Sequence, residues 1–328
     1  MVLPPDMLLR LYLPIGAVIG TGMGLGWLLM RLEQSQRGSS SKLHQRLPQT
    51  LGKGLFWIGL PLSVVGFMGR IDLTGHLYLA PLVAWMAMLL GWLGSYLWMG
   101  IQPRAWSRAS RVSFSLASML GNTGFIGYPV VLLLPQLGLP LFGWALFYDA
   151  LGTLPGSYGL GAILASRQGD GFQPPGSQSW RQWPGQIGRN PVIVAFGLGL
   201  VLKQVMLPTW LTSLLYGIAW LVVGLSLLLM GLRIQQLTTP DHLPRAAVAI
   251  AIKMLLIPVI VGLGLTALGI GGPIRLTLVL QTGMPSAFAN LILAETYNLD
   301  RDLSVTCVGL SSLSLLITLP VWLWLFAP

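Results

Sequence analysis

The sequence predicts an all-α, polytopic membrane protein of about ten transmembrane helices, arranged as two inverted five-helix repeats in which helices four and nine are broken. Three observations carry this. Of 328 residues, 54% are hydrophobic and only 9% are charged, whereas a soluble domain has about 25% charged residues. The apolar residues gather in ten runs, near 8–30, 51–69, 77–100, 112–134, 141–166, 190–206, 210–232, 246–268, 274–296 and 304–326, each close to the roughly 20 residues a spanning helix needs. The fourth and ninth runs are interrupted by Gly, Pro and Asn, at Gly121-Asn122-Thr123-Gly124-Phe125-Ile126-Gly127-Tyr128-Pro129 and at Gln281-Thr282-Gly283-Met284-Pro285-Ser286-Ala287-Phe288-Ala289-Asn290.

Run one carries Gly16, Gly20 and Gly24 at four-residue spacing. Small residues so spaced let helix backbones approach closely, and with no strand before them they do not read as a nucleotide loop. Residues 34–50 are polar and read as a loop with a surface helical turn, while Pro61 and Pro155 are expected to kink runs two and five. The longest polar break, 167–188, holds Pro174-Pro175, Trp180 and Trp183 and reads as a cytoplasmic linker. It divides a first repeat, 1–166, from a second, 189–328. Five spans on each side make the second repeat enter the membrane from the opposite face, the pattern of carriers with a midplane site.

The net charge is +10, and 14 of the 19 Lys and Arg residues fall in or beside alternate loops. Basic loops stay cytoplasmic, so the bias places both termini outside a plasma (inner) membrane and makes nucleic acid an unneeded explanation for the charge. The N-terminal residues lack the basic start and cleavage site of a secretory signal. Cys307 is the single cysteine, and His44, His76 and His242 fall in loops without ligand-like spacing, so neither a disulfide nor a metal site nor another cofactor is expected.

The two interruptions have a direct physical consequence. Proline has no N–H, so Pro129 should deprive the carbonyl of Phe125 of its helical partner, and Pro285 that of Gln281. Lipid cannot satisfy such groups, so opened backbone at membrane depth must face protein or a water-filled cavity. Both interruptions are therefore expected at one central site.

At these residues the chain resembles the auxin efflux carrier family, as a prokaryotic-type member. The stretch Gly121–Pro129 resembles that family's fourth-span motif and Asn190-Pro191 the entry to its second half. Met284-Pro285-Ser286-Ala287 with Ala294-Glu295-Thr296-Tyr297-Asn298-Leu299-Asp300 resembles its ninth-span motif, and Ser314-Leu315-Leu316-Ile317-Thr318-Leu319-Pro320 the end of its tenth. The resemblance implies a scaffold half, a transport half, helices four and nine crossing at their prolines, and secondary transport of a small organic anion by alternating access. The large cytoplasmic loop of many plant members is absent.

Asn122 is the first substrate-binding candidate, because a mid-depth amide can donate to a carboxylate; a helix–helix hydrogen bond is its plain structural role. Pro129 and Pro285 shape the site, and Tyr128, Ser286 and Asn290 lie close enough in sequence to face it, with packing as the competing role. Asp149, an acid inside a run, is a functional candidate by default, for proton uptake or for a structural pair. Lys253 either balances a buried charge or snorkels to the membrane surface, and Glu295 either serves coupling or pairs at a helix end. Coupling to a proton, to sodium or to the membrane potential all stay open at this stage, as does a homodimer. No His-Glu-x-x-His, Gly-x-Ser-x-Gly or paired-Asp site suggests an enzyme. A passive anion channel and a non-transporting ligand sensor are the alternatives.

Overall fold

A computed structural model describes residues 5–35, 43–73, 75–102, 106–168, 188–234 and 242–327. The interior of the expected linker, with Trp180, Trp183 and Arg181, lies outside the described residues, as do Arg37, Lys42 and Arg104. The described chain is helical throughout, with one isolated two-residue bridge. The elements are α1 (Pro5–Ser35), α2 (Leu43–Gly54), α3 (Leu60–Met68), α4 (Leu79–Gly100), α5 (Arg108–Met119), α6 (Tyr128–Leu133), α7 (Gly138–Tyr148) and α8 (Ala162–Gln168), followed by α9 (Pro191–Leu202), α10 (Thr209–Ile234), α11 (Leu243–Ile250), α12 (Ile257–Ala267), α13 (Gly272–Thr282), α14 (Ala289–Thr296) and α15 (Arg301–Leu325). Among the described residues, six helices are long and apolar enough to cross a membrane, including Tyr12–Glu33, Leu79–Gly100 and Thr209–Ile234. The protein is a polytopic helical membrane protein.

Wider π turns join several of these helices, at Leu55–Gly59, Thr123–Gly127, Asp149–Thr153, Gly156–Gly161 and Ala251–Leu256. Pro61 and Pro155 each stand beside one of them. A π turn adds a residue to the winding and re-aims the side chains that follow, and such turns gather at functional sites. The polar stretch 34–50 is less irregular than its composition suggests: from Leu43 onward it is the amphipathic helix α2, running without a break into the π turn before α3.

The helices pack in two groups. In one, α1 lies along α10, and α3 lies against both α9 and α10. In the other, α4 packs on α5, α6 on α7, α7 on α13, α11 on α15 and α12 on α13. Each group takes helices from both parts of the sequence. The aromatic centre of the first group is Phe67, edge-on to Phe142, Tyr216 and Trp220 at 4.9–5.9 Å.

The glycines of α1 serve differently from their spacing. Gly16, Gly20 and Gly24 are exposed, with open space where a Cβ would stand. The close approach occurs one face round, where a Cβ on Gly22 would collide with the carbonyl oxygen of Leu228, and one on Gly231 with that of Ile19. Two glycines facing each other across α1 and α10 thus allow backbone contact. Gly231→Val should lower the thermal midpoint in detergent by an amount corresponding to about 1–3 kcal/mol of overpacking, whereas Gly20→Ala should leave it unchanged; circular dichroism melts of the purified variants check both.

Candidate functional site

The site begins where helix α5 ends. Its cap residue Leu120 turns extended, with φ −95° and ψ 124°, and Asn122 follows at φ −83° and ψ 66°. The other interruption runs past Gly283, the cap of α13, to α14. The two open segments pair antiparallel, Gly121 opposite Ser286. The Asn122 N–H donates to the Pro285 carbonyl at 2.7 Å, and the Ala287 N–H donates to the Leu120 carbonyl at 3.0 Å. Ser286 completes the joint, its N–H donating to Ser311 Oγ at 3.0 Å and its hydroxyl to the Ala117 carbonyl at 2.8 Å. The backbone that the sequence requires to be satisfied by protein is satisfied largely by the partner break.

One expectation needs correction. The crossing involves Pro285, but its counterpart is Gly121-Asn122 and not Pro129. Pro129 lies past the opening, inside a helical stretch that runs without a break from the π turn Thr123–Gly127 through α6 to Leu133. The opening in span four is made instead by Asn122, whose Oδ1 accepts the Phe125 N–H at 3.3 Å and whose carbonyl accepts the Gly127 N–H at 3.1 Å. That is helix capping in the middle of an apolar run.

Beside this joint lies a cavity of about 500 Å³. Gly121, Asn122, Thr123, Gly124 and Asp149 line it, and of these Gly121, Asn122, Thr123 and Asp149 are buried. Exposed Lys53, Glu295 and Thr296 mark its mouth, with the partly buried Arg233 also on its wall. The walls are aromatic. Phe125 and Phe288 lie 5.7 Å apart, Phe56 and Tyr158 5.5 Å, and the Arg233 guanidinium stands 5.7 Å from the Phe288 ring centre.

The inner end is polar. The Asp149 carboxylate accepts hydrogen bonds from the Thr123 hydroxyl and, at 2.9 Å, from the Tyr128 hydroxyl. Among the described residues no cationic side chain stands within ion-pair distance of it. A Cβ on Gly124 would lie 3.2 Å from Asp149 Oδ2, so the missing side chain keeps the carboxylate close to the break. The Asn122 Nδ2 is buried without a hydrogen-bond partner. Buried polar groups are nearly always paired, so an unpaired amide on a cavity wall offers two N–H donors to whatever enters.

The structure brings Asn122 and Asp149 to the cavity lining and Glu295 to its mouth, where Glu295 is exposed and pairs with Arg301 at 3.0 Å. Tyr128 lies behind the lining, on Asp149; Pro285 and Ser286 form the joint; Pro129 is buried in α6. Asn290 is fully buried away from the cavity lining, its amide unpartnered. Lys253 does not snorkel. It is buried, its ammonium donating to the Thr282 carbonyl at 3.0 Å. Sequence reasoning missed Thr123, Tyr158, Phe288 and the part of Arg233, which it counted only as a loop cation. Thr123 was legible in principle, as the one hydroxyl adjoining Asn122 in the break.

The match to known proteins agrees with this geometry. Residues 182–323 match the family described as membrane transport protein. An uncharacterized transporter of Methanothermobacter thermautotrophicus is 26% identical over 277 residues, which are 83% of this chain and 87% of that one. The uncharacterized transporter MJ1031 of Methanocaldococcus jannaschii is 26% identical over 210 residues, 64% of this chain and 67% of its own. The chain is thus similar to a membrane transport protein family over its second part and to two archaeal proteins named as transporters. The cavity is testable by labelling. In a Cys307→Ser background, Thr153→Cys and Leu291→Cys should react with a small maleimide in membranes, because both line the cavity. Ser286→Cys, buried in the joint, should stay unmodified; equal labelling of all three would contradict the site.

Proposed function

We propose that this membrane transporter moves a small organic anion by alternating access, and that Asn122 and Asp149 form the inner end of its substrate site. The observation that carries the reading is the pairing of the two breaks at one end of an otherwise aromatic cavity. The Asn122 amide donates to the substrate carboxylate, while Lys53 and Arg233 on the wall favour entry of an anion. The aromatic pairs cover its apolar body, as is usual for small-molecule sites.

The mixed packing of the two helix groups supports a ten-span, inverted-repeat architecture of residues 1–166 and 189–328. In this reading α1, α2–α3, α9 and α10 are the scaffold, and the remaining helices carry the crossing across a barrier. The excess of basic residues in alternate loops supports a plasma-membrane orientation with both termini outside, which opens the cavity mouth to the cytoplasm.

Asp149 makes the cycle proton-coupled. A substrate carboxylate at Asn122 and an ionised Asp149 repel each other across a small water-poor space, where charge–charge energies are larger than in water. A proton on Asp149 removes the repulsion, so anion and proton bind together. Thr123 and Tyr128 hold the carboxyl in place in either state.

Reconstituted into proteoliposomes with a panel of radiolabelled mono- and dicarboxylates, the protein should show saturable uptake and counterflow. Asn122→Ala should lower the rate at least about tenfold, the loss of a hydrogen bond to a charged group. Asp149→Asn should retain exchange but lose acceleration by an imposed pH gradient. Linear, non-saturating flux, or an unchanged response to the gradient, would overturn the respective part.

A further inference from the structure

Lys253 is a charged group that the transport cycle above does not use. It lies on the π turn Ala251–Leu256 between α11 and α12, is 2% exposed, and is not part of the cavity lining. Its side chain reaches the joint of the two breaks from behind. The ammonium donates to the carbonyl of Thr282, the last residue of α13. On its other side is Gly121, where an added Cβ would stand 3.2 Å from both Lys253 Nζ and Cε, and 3.6 Å from the Met284 carbonyl oxygen. Among the described residues no carboxylate lies within ion-pair distance of it.

A half-helix that stops inside a membrane presents unpaired carbonyls and the negative end of its dipole. In carriers with broken helices, such ends and the unwound carbonyls beside them coordinate the coupling cation. Here the C-terminus of α13 and the opposing break meet around a cation that is covalently part of the chain.

We propose that the Lys253 ammonium fills the place of a coupling metal cation at the crossing, so that the joint takes no sodium. The proposal adds the identity of the cation to the carrier reading. It leaves the proton at Asp149 as the only coupling ion, and it explains the glycine at 121: a side chain there would press on the ammonium. The π turn supplies the reach, because the extra residue turns Lys253 inward from a helix whose neighbouring residues Ala251 and Leu255 are exposed.

The test needs no substrate, so its outcome is separate from that of the flux experiments. Thermal unfolding of the detergent-solubilised full chain is followed in sodium, potassium and choline chloride at equal ionic strength. The wild type should unfold at the same temperature in all three. Lys253→Ala should unfold roughly 5 °C lower, and ethylammonium chloride or sodium chloride should restore part of that loss while choline, too large for the vacated space, should not. Lys253→Met, which keeps the stem and blocks that space, should stay low in every salt. A wild-type midpoint that rises specifically with sodium would overturn the proposal, and so would a Lys253→Ala protein as stable as wild type or insensitive to every small cation. Equilibrium binding of radioactive sodium to the wild type is an arm that no folding defect can obscure: none above background is expected, and one ion per chain would refute the inference.

Discussion

The constraint on which this structure depends is that peptide groups inside a membrane must find partners within the protein. Two helices stop partway, and the open ends answer each other through hydrogen bonds from Asn122 to Pro285 and from Ala287 to Leu120. The joint is then pinned on both sides, by Ser286 to Ala117 and Ser311 and by Lys253 to Thr282. With the backbone accounted for, the side chains beside it are released for other work. Asn122 spends its carbonyl oxygen on capping and leaves its amide nitrogen open to the cavity.

Two ionisable groups stand near this joint, and they are held in different ways. Asp149 is held by hydroxyls from the broken helix itself, Thr123 and Tyr128, and faces the cavity. Lys253 is held by a helix end and lies outside the cavity lining. A charge at the cavity wall can exchange with water and substrate; a charge locked behind the backbone cannot. That division suits a carrier in which one group changes its state during the cycle and the other stays constant.

Much of this was legible before any coordinates. Most of the described helices overlap the apolar runs, because length and hydropathy select them, whereas α2 begins ahead of the second run in the stretch read as a loop. The two interruptions were legible because Gly, Pro and Asn are out of place in a spanning helix, and their meeting followed from the need to pair exposed peptides. The position of the crossing was not. Proline wound into a helix through a π turn looks the same in sequence as proline at a break, and only the capping by Asn122 tells Pro129 from Pro285. The glycines of α1 misled for a similar reason. A four-residue spacing marks one helix face, but whether that face meets a neighbour depends on a helix two hundred residues away, and the contact fell on Gly22 and Gly231 instead. Arg233 belongs to the cavity only because α10 crosses beside the first break, which no local pattern encodes.

The central claim is the direct hydrogen bond between the two interrupted helices. Solid-state NMR of the unmodified protein in lipid, with the Asn122 backbone nitrogen and the Pro285 carbonyl carbon isotopically labelled, measures that contact without a mutation. The account predicts strong dipolar dephasing, for a nitrogen-to-carbon separation of about 4 Å. No measurable coupling between the two labels would show that the breaks do not pair, and the site built on them would fall with it.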